Sequence, residues 1–235
     1  MQKGIQFLAL SIKKSLSKNR EMKLYNYYRS SCSYRVRIAL NYKSIPFEKV
    51  EVNLLEREQT EAAYRLINPQ GFVPFLQDGE VGLSQSLAII EYLEEKFPAP
   101  ALLPSSPRDR ATVRGLAQII ACDTQPIQNL RVLKYIQGTL GAGEEGKLAW
   151  IQNFVGSGLE AYEAHLRLTA GKYSFGDEVS MADVCLAPQV YNARRFNVAL
   201  DSYPNLSRVC SNLEELECFA LAAPEQNSSS TIERR

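Results

Sequence analysis

The apolar positions change period several times between residues 23 and 97. Residues 23–28 are a short apolar run, and residues 33–43 carry the one-sided spacing of an amphipathic helix. Residues 47–52 then alternate, with Val50 and Val52 set against Lys49 and Glu51, so the stretch reads as strand, helix, strand: a βαβ unit. A short helix is predicted over 56–66. After it, Asn68-Pro69-Gln70-Gly71 makes a turn, and the runs 73–77 and 81–83 are joined at Asp78-Gly79 as a hairpin. Pro74 removes a ladder hydrogen bond, which confines it to a strand beginning, an edge or a special turn. A cis bond at Val73-Pro74 would expose the Val73 backbone. Residues 87–97 give one more helix, ended by Pro98.

Pro98, Pro100, Pro104 and Pro107 break the chain, and residues 97–107 read as a linker between domains. Beyond them the pattern is helical: 108–135 with a kink at Pro126, 144–168, 181–196, and 206–222 in one or two pieces. Ser180 and Asp183, three apart at a helix start, form a variant of the capping box. The expected fold is an α/β N-terminal domain (βαβαββα, a mixed four-stranded sheet) over residues 23–105 and an all-α C-terminal domain over 106–223. Residues 1–22 carry Lys3, Lys13, Lys14, Lys18 and Arg20 with no acid before Glu21. That composition fits a transit peptide or an extension ahead of a start at Met22, and the second is preferred. The polar tail 224–235 is expected to fray.

A chain of 235 residues has room for two modest domains. Its 27 basic and 26 acidic residues nearly cancel, which argues against a nucleic-acid partner or an anionic membrane surface and for a small ligand. No apolar run approaches the ~18 residues of a membrane span. The five cysteines form no C-x-x-C pair and the single histidine, His165, lies in a helical pattern far from any Ser or Cys elbow. Structural zinc and a histidine-activated nucleophile are therefore not expected, and the cysteine usage suits a reducing cytoplasm.

The candidate chemistry lies at Ser30-Ser31-Cys32, where the first strand feeds the first helix. Backbone N–H groups without intrahelical partners and the helix dipole make such a junction an anion site, to which hydroxyls and a thiol add donors. The competing reading is that Ser31 or Cys32 merely caps the helix. Gln85-Ser86 is a second helix start with an amide and a hydroxyl, and Ser86 alone would again be read as a cap. With Val73-Pro74, the three loops become a constellation at the strand ends of one small sheet.

The run Ser30-Ser31-Cys32-Ser33-Tyr34-Arg35-Val36-Arg37-Ile38-Ala39-Leu40 resembles the signature of the zeta class of cytosolic glutathione transferases, the maleylacetoacetate isomerases. Gln85-Ser86-Leu87-Ala88-Ile89-Ile90-Glu91-Tyr92-Leu93, Gln125-Pro126-Ile127-Gln128-Asn129-Leu130 and Gly176-Asp177-Glu178-Val179-Ser180-Met181-Ala182-Asp183 are similar to further blocks of that family, over about residues 22–223. Phe72, Trp150 and the Gly-rich segment 138–146 depart from its pattern. The resemblance implies a thioredoxin-like N-terminal domain and glutathione as cofactor. The γ-glutamyl carboxylate would lie at Gln85 and Ser86, the cysteinyl backbone at Val73 before cis-Pro74, and the thiol at Ser30, Ser31 and Cys32, with Gln59 and Asn129 as further contacts. It also implies a small diacid substrate held by Arg195 and Gln125, and a homodimer. For Arg195 the competing reading is a solvated pair with Arg194. Two rival functions remain: a thiol-disulfide or dehydroascorbate reductase using Cys32, against which stands Arg35 at the resolving position, and a noncatalytic binding module on the same fold.

Overall fold

The computed structural model describes residues 22–228. In order, the N-terminal half runs β1 (Met22–Asn26), α1 (Ser31–Tyr42), β2 (Phe47–Glu51), α2 (Ala62–Ile67), β3 (Phe75–Asp78), β4 (Val81–Ser84) and α3 (Ser86–Lys96). The sheet order is β2-β1-β3-β4, with β2 parallel to β1 and the other two pairings antiparallel. This is the mixed four-stranded sheet anticipated from the alternation. The extension lies outside the described residues except for Met22, which is buried and opens β1.

The second half is helical: α4 (Pro107–Gln118), α5 (Leu130–Lys134), α6 (Gly143–Thr169), α7 (Met181–Arg195), α8 (Pro204–Glu214) and α9 (Glu217–Ala222). One continuous core joins the halves, running from Leu24, Val36 and Ile38 through Leu116 and Ile120 to Leu159, Val184 and Leu186. Among the described residues no helix is long and apolar enough to cross a membrane.

Four local expectations are corrected. The helix expected over 56–66 is shorter, because Arg57 takes φ 65° and only Glu58–Thr60 form a 3-10 turn before α2. The side chains of Asn53 and Glu58 bond the backbone there, with Asn53 N donating to Glu58 Oε2 at 2.6 Å, and such local bonds compete with the helical ladder. The hairpin turns at Gly79-Glu80, one residue later than expected, with Gly79 at φ 61°. The long helix over 108–135 is interrupted before Pro126 as well as at it: α4 widens into a π turn at Ile119–Thr124, a 3-10 turn spans Pro126–Gln128, and Asn129 is extended. The start of the tail is held in place, since Asn227 donates to Leu221 O and Ala223 O and accepts from Lys49 Nζ.

Two buried cations tie the loops to this frame. Arg37 donates to Asn26 Oδ1, Tyr28 O and Ala222 O at 2.6–2.9 Å, so the backbone leading into α1 is pinned from below. Burial lowers its guanidinium to about 10, still a cation at neutral pH. Lys43, just past α1, spends all three ammonium donors on Glu94 Oε2, Phe97 O and Pro100 O. Glu94 in turn accepts from Leu102 N and Leu103 N. The linker is thereby fastened to both α1 and α3.

The capping box at the start of α7 is present and extended. Asp183, fully buried, accepts from Ser180 N, Ser180 Oγ and Ser174 N, each at 2.8 Å. Burial raises its carboxyl and the bonds from Ser174 and Ser180 oppose that rise. Asp183→Ala leaves two buried backbone donors without acceptors, and an expected loss of about 2–3 kcal/mol follows. At roughly 2–4 °C per kcal/mol for a chain of this size, thermal unfolding should move down by about 4–12 °C.

Candidate active site

The cleft between the two halves has a volume of ≈ 910 Å³. Its wall is built from three junctions. At the first, the chain turns through Tyr27-Tyr28-Arg29 and enters α1 with Ser30 as N-cap, whose Oγ accepts from Ser33 N at 3.2 Å. The cap is thus Ser30 and neither Ser31 nor Cys32. Because Ser30 Oγ serves that bond as an acceptor, its hydrogen stays free to donate into the cleft. Ser31 Oγ accepts from Asn192 Nδ2 at 2.7 Å, across from α7. Cys32 Sγ donates to Gln125 Oε1 at 3.4 Å on the helical side.

At the second junction the Val73-Pro74 peptide is cis. Tyr64 Oη and Asn68 Nδ2 both donate to Phe72 O, at 2.6 and 2.8 Å, which fixes the backbone entering Val73. Gly71 has φ 64°, and a Cβ there would stand 2.8 Å from Gln59 O, so glycine permits the Gln59 loop to close over it. At the third, Gln85 caps α3 in the left-handed region at φ 72°, and Ser86 is the first helical residue, not the cap expected from its sequence position. Gln85 Nε2 donates to Gln70 Oε1 at 2.8 Å. A non-glycine residue at positive φ costs about 1–3 kcal/mol and is characteristic of ligand clamps.

All the sequence-derived candidates line this one cleft: Ser30, Ser31, Cys32, Gln59, Val73, Pro74, Gln85, Ser86, Gln125, Asn129 and Arg195. The neighbouring arginines part company. Arg194 pairs with Glu214 at the surface, whereas Arg195 lines the cleft beside Phe196. Asn129 spends its side-chain oxygen as the N-cap of α5. His165 is exposed on α6 and is not part of the lining. Sequence reasoning missed Arg29, Arg35, Arg131 and Asn192, which also line it. Arg29 directly precedes Ser30, and Asn192 stands one helical turn before Arg195, so adjacency was the available signal. Arg131 lies over the Phe72 ring at 5.1 Å, joining the halves across the cleft.

The charge of the cleft is one-sided although that of the chain is not. Eight Arg and Lys side chains line it, and among the described residues no Asp, Glu or His does. Such a wall attracts a polyanion and offers no carboxylate or imidazole to shuttle protons. Tyr27 in the wall stays protonated, since burial and then Tyr28 push its hydroxyl up to about 12. Cys185 and Cys210 are held inert by burial, at about 11 and about 12. The thiols that reach the cleft are Cys32 and Cys122. Gln59 Oε1 is buried with no protein partner. A free acceptor inside a cationic wall fits an elongated ligand that carries amide donors as well as carboxylates, as a peptide does.

The glutathione S-transferase N-terminal domain model matches residues 24–101, and the glutathione S-transferase C-terminal domain model matches residues 151–211. The chain is 47% identical over 204 residues to a probable maleylacetoacetate isomerase of Vibrio cholerae, covering 86% of this chain and 95% of that protein. It is also 47% identical to a maleyl pyruvate isomerase of known structure, described as a bacterial glutathione S-transferase of the zeta class, with a TM-score of 0.85 over 87% of this chain and 97% of that one. The chain belongs to the zeta class of glutathione S-transferases. A second solved structure, a maleylacetoacetate isomerase from Methylobacterium extorquens AM1 with bound malonate and GSH, is 39% identical with a TM-score of 0.84, covering 87% of this chain and 97% of that one. In this zeta-class transferase the three junctions and the basic wall all face the one cleft between the halves.

Proposed function

We propose that this zeta-class transferase is a glutathione-dependent cis-trans isomerase that converts maleylacetoacetate to fumarylacetoacetate, a step of tyrosine and phenylalanine catabolism in the cytoplasm. The observation that carries the reading is the cleft itself, lined around the start of α1 by eight basic side chains and, among the described residues, by no acidic one. In it residues 23–105 hold glutathione and residues 106–223 hold the diacid. Gln85 and Ser86 receive the γ-glutamyl carboxylate at the start of α3, Val73 pairs with the cysteinyl backbone, and Gln59 and Asn129 complete the peptide contacts. Ser30 directs its free hydroxyl hydrogen at the sulfur, with Ser31 and Cys32 beside it.

Bound glutathione supplies a thiolate that adds reversibly beside the cis double bond, so that rotation about the resulting single bond and loss of the thiolate leave the trans acid and unchanged glutathione. Arg195 neutralises a carboxylate of the diacid, and Gln125 faces it from the opposite helix. Together they stabilise the negative charge that moves onto the enone oxygen on addition. No proton donor is required of the protein, in keeping with a cleft that, among the described residues, holds neither imidazole nor carboxylate.

Maleylpyruvate is the second substrate to consider, since a relative at equal identity bears the name maleyl pyruvate isomerase. The deciding experiment follows the cis-enone absorbance of each acid with and without catalytic glutathione. Isomerisation of either acid at equal rate in the absence of glutathione ends the proposal, and the faster acid identifies the substrate. Cys32→Ser separates this reading from a reductase. The isomerase should keep its turnover to within about tenfold, a loss below ~1.4 kcal/mol, whereas a reductase would lose all activity with its nucleophile. Retention on a glutathione matrix without turnover of either acid would mark a binding module. The assembly is taken to be a homodimer, which sedimentation of the full chain measures directly.

A further inference from the structure

Two arginines of α1, on different faces of the helix, are almost completely buried, Arg35 and Arg37, each 1% exposed. They differ in how they are satisfied. Arg37 places its donors on three oxygens and is a structural tie. Arg35 has only its Nη1 engaged, donating to Ser86 Oγ at 3.3 Å and to Cys32 Sγ at 3.9 Å, while its Nε and Nη2 are buried without a partner. None of the ion pairs among the described residues includes it. Arg114, by contrast, turns the same two nitrogens as a fork onto the Glu91 carboxylate. A buried guanidinium without a counter-charge is a standing cost to the folded chain, so its position is explained by what it does to the groups it touches.

Both of those groups belong to the proposed site. Ser86 Oγ accepts from Arg35, which leaves the Ser86 hydroxyl hydrogen to donate into the cleft at the start of α3. Cys32 Sγ likewise accepts from Arg35, and its S–H is directed to Gln125 Oε1. With its oxygen so occupied, Gln125 presents its amide Nε2 as the donor toward the diacid. We propose that Arg35 is a positioning residue shared by the two ligand sites: one unpaired buried cation orients Ser86 toward the carboxylate of glutathione and, through Cys32, Gln125 toward the substrate. The inference rests on the glutathione reading above. It adds that the counter-charge missing from the protein is brought by the ligands.

The test uses the full-length protein with Arg35→Met, Arg35→Lys and Ser86→Ala, measuring glutathione affinity by calorimetry, thermal unfolding without ligand, and KM for the diacid at saturating glutathione. Arg35→Met should melt at or above the wild-type temperature without ligand, bind glutathione at least tenfold more weakly, and raise the diacid KM at least threefold. Arg35→Lys, which restores the charge, should recover part of both losses. Ser86→Ala should weaken glutathione at least tenfold and raise the diacid KM by less than Arg35→Met does. An Arg35→Met protein that fails to fold, or melts several degrees lower, shows a structural arginine and overturns the proposal. Wild-type glutathione affinity or an unchanged diacid KM in that variant overturns it as well. Failure of the wild-type protein to bind glutathione at all is a different result and removes the parent reading instead.

Discussion

Ser30→Ala is expected to lower turnover by one to three powers of ten at saturating glutathione, the range seen when one donor to a developing anion is removed. The size follows from the thiol. With a pKa of about 8.5, a free thiol is only a few per cent ionised at pH 7, so complete ionisation raises the reactive species by at most about 30-fold, or roughly 2 kcal/mol. One charge-assisted hydrogen bond contributes about 1.5–3 kcal/mol and the helix dipole about 0.3–1 kcal/mol. Of the two, the bond is the larger. Ser30 Oγ accepts from Ser33 N and Ser31 Oγ from Asn192 Nδ2, so each keeps its hydroxyl hydrogen to donate, whereas the Cys32 thiol hydrogen is turned to Gln125. Ser30 is placed first because it is the N-cap of α1, where the helix dipole adds to its bond. The same substitution removes the cap of α1, so a loss of about 1 kcal/mol in stability accompanies it. Ser30→Thr keeps cap and donor and should restore most of the rate. Turnover of Ser30→Ala equal to wild type would remove Ser30 from the mechanism.

Lys43→Met should cost about 3–5 kcal/mol, because it leaves the buried Glu94 carboxylate without its cation. The Lys43 side chain is 0% exposed and that of Glu94 7%, so water cannot replace the lost partner. Two carbonyls, Phe97 O and Pro100 O, lose their donor at the same time. The expected fall in the unfolding midpoint is roughly 6–20 °C. Replacing both partners with apolar residues should not restore stability, because Leu102 N and Leu103 N then lose the carboxylate they donate to. A double variant as stable as wild type would show that the pair is incidental to the linker.

The parts of this fold legible in the sequence are those decided within a few residues. Val50 and Val52 against Lys49 and Glu51 marked a strand, four prolines marked the linker, and small polar residues before apolar helical runs marked the starts of α1, α3 and α7. Because anion sites at helix starts are local, Ser30 to Cys32 and Gln85-Ser86 could be named from the pattern alone, whereas Gln59, Gln125, Asn129 and Arg195 were named only by the resemblance to the zeta class. What the sequence concealed depends on distant partners. Arg35 reaches a serine 51 positions away and Asn192 a serine 161 positions away; no periodicity records such contacts. The π turn at Ile119–Thr124 was equally hidden, since its residues keep the apolar spacing of the helix they widen. Side-chain competition ended the expected helix at 56–66, where Asn53 and Glu58 bond the backbone in place of the next turn.

A wall carrying eight cations, in a chain whose net charge is near zero, pulls a small multivalent acid toward the cleft. That pull weakens as mobile ions shorten the reach of the field, from about 30 Å in 0.01 M salt to about 8 Å at physiological strength.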